Sequence, residues 1–173
     1  MIRPDTFVFR TLSAMARQRK ELSDAHCGAV TELLHTSFIV QRALQGQLEK
    51  TGLTDLKFAV LVALYALDPN PVTTTDLAFY TGCTRSAVTK AVATLYARKL
   101  LATARDDADG RVKYLRLTPP GRRLSEITAL AYLGSIGQMA RTLHAPALFT
   151  LRRACSRLAE GAIRVSTAPP FSP

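Results

Sequence analysis

The stretch from Thr73 to Leu124, TTTDLAFYTGCTRSAVTKAVATLYARKLLATARDDADGRVKYLRLTPPGRRL, constrains the fold more than any other part of the chain. Thr73 followed by Asp76 has the form of a capping box with Asp in the usual Glu place, and it opens a short helix that Gly82 ends. Thr84 caps a second helix, expected to reach about Leu100, whose inner positions Val88, Ala91, Val92 and Leu95 fall at helical spacing. Two helices joined by a glycine-containing turn form a helix-turn-helix. LLATAR and RVKYLRL then read as strands on either side of DDADG, whose Asp and Gly residues tolerate the backbone angles of a hairpin tip. Thr118 caps a further helix with Pro119 and Pro120 in its opening positions, where missing amide hydrogens cost nothing. That helix is expected to run to residue 143.

Longer helices flank this series. Residues 22–50 carry Val30, Leu33, Leu34, Phe38, Ile39 and Leu48 at intervals of threes and fours, and Gly52 stops them; a shorter helix is expected around residues 5–20. Residues 55–67 form a second core helix with Leu56, Val60, Leu61, Leu64 and Leu67 on one side, and Asp68 and Pro69 break it. A last helix over 146–165 offers Leu148, Leu151, Cys155, Leu158 and Ile163, and STAPPFSP closes the chain as an extended tail. The fold class is therefore mainly α with a small β-wing. A winged helix-turn-helix lobe (53–120) lies between N-terminal (1–52) and C-terminal (121–165) helices, followed by a tail (166–173).

With 173 residues, 47% of them hydrophobic and 21% charged, the chain has enough apolar material for one buried core. The 23 Lys and Arg against 13 Asp and Glu leave a net charge of +10, an excess that suits a polyanionic partner. The basic residues are scattered rather than run together, which disfavours a membrane surface. No stretch reaches the ~18 uncharged apolar residues of a membrane span, and Asp5 and Arg10 interrupt any signal-peptide core. A cytoplasmic location is expected. Cys27, Cys83 and Cys155 are widely spaced and form no CxxC pair, so neither a disulfide framework nor a zinc finger is indicated. Each is read as a packing residue, with an oxidant-sensing thiolate as the alternative and Cys27 its first candidate.

The helix after Thr84 consumes one stripe in the core and leaves Arg85, Ser86, Thr89, Lys90 and Ala93 on the opposite face. That face is rich in donors and carries no acid. It suits a major groove, where Arg and Lys pair with guanine edges or phosphates and Ser and Thr reach bases or backbone; a solvated helix face is the alternative. Arg105, Arg111, Lys113 and Arg116 gather on the hairpin directly after it. Arg is favoured in a narrow minor groove, with Asp109 to hold the Arg111 guanidinium in position; an exposed salt bridge in a flexible turn is the alternative.

These residues resemble the core of the multiple antibiotic resistance regulator (MarR) family. Asp109, Arg111, Leu115, Leu117 and Thr118 meet the family's wing pattern, and Gly121 stands where the family keeps a glycine; the resemblance covers roughly residues 53–125. It implies a homodimer with interlocked terminal helices, the helix from Thr84 in the major groove, and Arg111 on the wing. It also implies release of the operator by a small aromatic or anionic ligand, for which His35, Phe38, Arg42, Lys57 and Tyr65 are the candidate residues. Gly110 departs from the family, which often carries a second wing-tip Arg there, and so does the additional segment before residue 22.

No cofactor or metal site is indicated, and the chain offers neither a nucleophile–base pair nor a phosphate loop, so an enzyme is not expected. His26 and the adjacent Cys27 point about 100° apart around a helix, which disfavours them as co-ligands. The rival readings are a redox- or metal-responsive regulator of the same fold and a winged-helix adaptor that binds protein. The sequence-specific DNA regulator, a repressor on a pseudo-palindromic operator, accounts for more of the residues.

Overall fold

A computed structural model describes residues 11, 14, 15, 18, 24–105 and 113–167. Its elements are α1 (Asp24–Glu49), α2 (Asp55–Leu67), α3 (Thr74–Thr81), α4 (Arg85–Ala97), β1 (Leu101–Arg105), β2 (Lys113–Leu117), α5 (Pro119–Ala140) and α6 (Ala145–Thr167). The expected helix near residues 5–20, the hairpin tip and the tail lie wholly or mostly outside the described residues. The chain forms two compact units that part between Tyr132 and Leu133.

In the first unit, α2, α3, α4 and α5 each begin where a threonine side chain satisfies an orphan amide. Thr54 caps α2 by accepting from the Lys57 N–H at 3.4 Å. Thr73 caps α3 through a full capping box: the Asp76 N–H donates to Thr73 Oγ1 at 3.2 Å, and the Thr73 N–H donates back to the Asp76 carboxylate at 2.8 Å. The Thr73 hydroxyl also donates to that carboxylate, at 2.7 Å. These bonds, the backbone one foremost, hold the Asp76 carboxyl below its usual range. A carboxylate with a lowered folded pKa adds stability that is full above the unfolded pKa, about 3.9, and is lost as pH falls through the folded value. We expect Asp76→Asn to flatten the stability–pH curve below about pH 4, and Thr73→Ala to cost ~1 kcal/mol near neutrality; acid and neutral denaturant titrations measure both.

The core is a single cluster in which Leu48, Leu53, Val60, Leu61, Leu64, Leu77, Val88 and Leu95 are buried. Val88, Ala91 and Leu95 are the inward stripe of α4 expected from their spacing. Strands β1 and β2 pair antiparallel, with Leu101 opposite Leu117 and Arg105 opposite Lys113. The Leu115 N–H also donates to the Val72 carbonyl at 2.8 Å, which ties the wing to the loop before α3.

The second helix of the pair is shorter than expected. It ends at Ala97, because Lys99 adopts φ 59° and the Leu100 N–H returns to the Leu95 carbonyl at 3.0 Å. This left-handed closure turns Leu100 into the core. Arg98, the capping residue, donates to the carbonyls of Gly52 and Thr51 at 2.9 and 3.1 Å and so fastens α4 to the turn between α1 and α2. Thr118 then starts α5 as expected: its hydroxyl accepts from the Gly121 N–H at 3.2 Å and donates to the Lys99 carbonyl at 2.8 Å.

Burial departs from expectation at the terminal helices. Of the α1 stripe, Leu48 is buried, while Val30, Leu34 and Ile39 are exposed. The second unit holds the rest of α5, which ends at Ala140 rather than 143, and α6. There Leu151, Leu158, Ile163 and Val165 are exposed. The stripes exist, but a single chain does not cover them. No helix among the described residues is long and apolar enough to cross a membrane.

Candidate nucleic-acid interface and ligand cleft

Thr84, Arg85, Ser86, Thr89 and Lys90 are all exposed along one side of α4. They are brought together because Val88, Ala91 and Leu95 draw the opposite side into the core. The helix contains no acid, so its N-terminal partial positive charge adds to the two cations. The Thr89 hydroxyl donates to the Arg85 carbonyl at 2.8 Å, which commits its proton to the helix and leaves its lone pairs outward-available as acceptors.

On the wing, Lys113 and Arg116 are exposed on β2. Arg105 is the β1 residue paired with Lys113. Asp109 and Arg111, with Gly110 between them, lie outside the described residues. The sequence reading overlooked Phe79 and Tyr80 on α3, which form an edge-on aromatic pair with centroids 5.7 Å apart. Phe79 is 83% exposed, and only the burial of Leu77 on the other side of this short helix reveals that.

The ligand candidates do not all converge. His35, Phe38 and Arg42 stand on α1 and Lys57 on the first turn of α2. Tyr65 lines a cleft of about 340 Å³ between α2 and α5, together with Val62, Ser125, Glu126, Ala129 and Leu130. Tyr65 donates its hydroxyl to Glu126 Oε1 at 3.0 Å, and this bond to a carboxylate raises its pKa. The Arg122 guanidinium lies over the Tyr65 ring, 5.0 Å from its centroid, and forms a salt bridge with Asp68. The sequence reading missed Asp68, Arg122 and Glu126. The i, i+4 spacing of Arg122 and Glu126 was visible, but α2 and α5 had to meet before it acquired a meaning.

Cys27, half-buried, and Cys83 and Cys155, exposed, are free thiols. Among the described residues no three His, Cys, Asp or Glu side chains gather as a metal site.

A helix-turn-helix whose second helix presents a basic, acid-free face, followed directly by a β-wing, defines a winged helix-turn-helix protein. The solved structures that it resembles share this fold. MepR, a transcription regulator of the Staphylococcus aureus multidrug efflux pump MepA, superposes with a TM-score of 0.65 at 20% identity, over 73% of this chain and 93% of that one. The YusO protein from Bacillus subtilis gives 0.67 at 22% identity, over 80% and 97%. A MarR-family transcriptional regulator from Rhodococcus sp. RHA1 gives 0.60 at 23%, over 76% and 92%. No curated protein sequence matches the chain significantly. Residues 51–112, the helix-turn-helix and most of the wing, match the model of the MarR family. That match spans 62 of the 173 residues, and the solved structures, at 20–23% identity, share the winged helix-turn-helix fold.

Proposed function

We propose that this protein binds duplex DNA as a homodimer, represses transcription from a pseudo-palindromic operator, and is released when a small aromatic molecule occupies the helical scaffold. The observation that carries the reading is the exposed, acid-free face of Arg85, Ser86, Thr89 and Lys90 on a helix whose other side is locked into the core. In each half-site α4 enters the major groove, Arg85 and Lys90 pair with guanine edges or phosphates, and Thr84, Ser86 and Thr89 reach bases or backbone. The wing, with Arg105, Asp109, Arg111 and Lys113, lies along the neighbouring minor groove. MepR from S. aureus, solved in complex with DNA, superposes with a TM-score of 0.62 at 21% identity, which supports the assignment.

The dimer rests on uncovered apolar surface. In the first unit Ile127 and Leu130 are 64% and 72% exposed. In the second, Leu148, Leu151, Cys155, Leu158, Ala162 and Val165 recur at alternating intervals of three and four along α6, the seam that a partner helix fills. A second copy of the chain supplies that partner.

The test combines footprinting with a salt titration. The footprint is expected as two half-sites about one helical turn apart on one side of the duplex, and the affinity to fall steeply with salt, by ~0.9 in logarithmic slope per phosphate contact. A binding constant indifferent to salt, or a monomer in sedimentation at concentrations that saturate the operator, would refute it. Salt-indifferent binding to a protein instead would establish the adaptor reading.

A further inference from the structure

The geometry points to the α2–α5 cleft as a site for a small aromatic cation, an amine or quaternary ammonium with an apolar body, rather than for an anion. This names the ligand class of the release step proposed above and rests on that reading for its regulatory meaning.

The cleft is apolar except at one end. Val62, Ala129 and Leu130 form its walls, and Glu126 with the Tyr65 hydroxyl forms its polar end. Among the described residues that line it there is no Lys, Arg or His. Arg122 and Arg123 stand four and three residues before Glu126 on α5; Asp68 engages the Arg122 guanidinium, the Tyr65 ring lies beneath it, and Arg123 is not among the described residues that line the cleft. Among the described residues Glu126 forms no salt bridge. Glu126 is therefore the charged group among the described residues that line the cleft, on a chain whose net charge is +10.

A carboxylate at the end of an apolar cleft disfavours an anion, because the two like charges repel. It favours a cation whose hydrophobic body removes the walls from water. The Tyr65 hydroxyl donates to Glu126 Oε1 at 3.0 Å and so ties the carboxylate to the end of the cleft. The Arg122 stack in turn fixes the Tyr65 ring, so the polar end is built before a ligand arrives. A volume of about 340 Å³ suits a molecule of one aromatic ring with a substituted ammonium head.

Calorimetric titration of the intact protein with benzyltrimethylammonium and with phenylacetate, at equal ionic strength and without DNA, tests the assignment. The cation is expected to bind about tenfold more tightly than the anion, and Glu126→Gln, which keeps an acceptor for Tyr65 but loses the charge, to abolish that preference while retaining the parent's circular dichroism. Equal binding, tighter binding of phenylacetate, or a Gln variant that keeps the preference would each overturn it. The comparison of the two probes on the parent protein stands whether or not the variant folds. Duplex titration of the parent protein with and without the cation is read separately. A protein that prefers the cation yet binds no duplex refutes the DNA-binding reading and leaves the cleft assignment supported. Cation binding that leaves duplex affinity unchanged supports the site and overturns its part in release.

Discussion

Gly121→Ala is expected to destabilise the protein by ~3 kcal/mol, lowering its melting temperature by roughly 6–12 °C for a chain of this size. Alanine ordinarily stabilises a helix relative to glycine by up to about 1 kcal/mol, so the sign of the effect is diagnostic. The reason is the crossing of β1's entry over the first turn of α5. A Cβ at Gly121 would stand 2.0 Å from the Leu100 carbonyl oxygen and 3.0 Å from its carbon, and both are backbone atoms that no rotamer change can move aside. Leu100 cannot retreat without cost. Its carbonyl accepts from the Thr118 N–H at 3.1 Å, and its side chain is part of the core. Displacing it breaks that bond and the Thr118 hydroxyl's bond to Lys99, which together set the angle between wing and α5. The same substitution at Gly46 in α1, where an added Cβ meets nothing within 4 Å, should be neutral or stabilising. Thermal melts of the two variants beside the parent decide the matter, and equal effects would show that the crossing does not confine Gly121.

Combined Arg85→Ala and Lys90→Ala should abolish operator binding at moderate salt while leaving the fold intact. Both side chains are exposed and, among the described residues, make no side-chain hydrogen bond or ion pair that supports the core, so their loss costs little stability. On a two-fold operator each substitution removes two contacts. At about 1 kcal/mol for each, the low end for a lost base or phosphate contact, the pair costs ~4 kcal/mol, or roughly a thousandfold in affinity. The salt dependence should become shallower as well, because fewer counterions are released. Anisotropy titrations across a salt series read both quantities. A variant that melts like the parent and binds the operator within threefold of it would remove α4 from the interface.

Much of this was legible in the residues because local chemistry decides it. Thr73, Thr84 and Thr118 announce the starts of α3, α4 and α5, since few groups other than a side-chain oxygen can satisfy the orphan amides there. Gly82, at φ 63°, announces the turn. The outward face of α4 followed by subtraction once Val88, Ala91 and Leu95 were assigned to the core. The end of α4 was not legible, because Lys99 occupies a conformation that glycine or asparagine usually takes. What forces it there is the packing of Leu100 and the grip of Arg98 on Thr51 and Gly52, a contact across some 46 residues of chain.

The sequence by itself determined the order of elements, the helix-turn-helix with its wing, and the cations on α4, all of which rest on capping, periodicity and residue type over short distances. Only the tertiary structure decided which apolar stripes a single chain buries and which it leaves exposed. It also decided that Glu126, rather than the cations at Arg42 or Lys57, faces the cleft beside Tyr65. The physical reason is the same in both cases: burial and charge balance belong to the surfaces where α2 and α5 meet. No window along the chain contains both sides of such a contact.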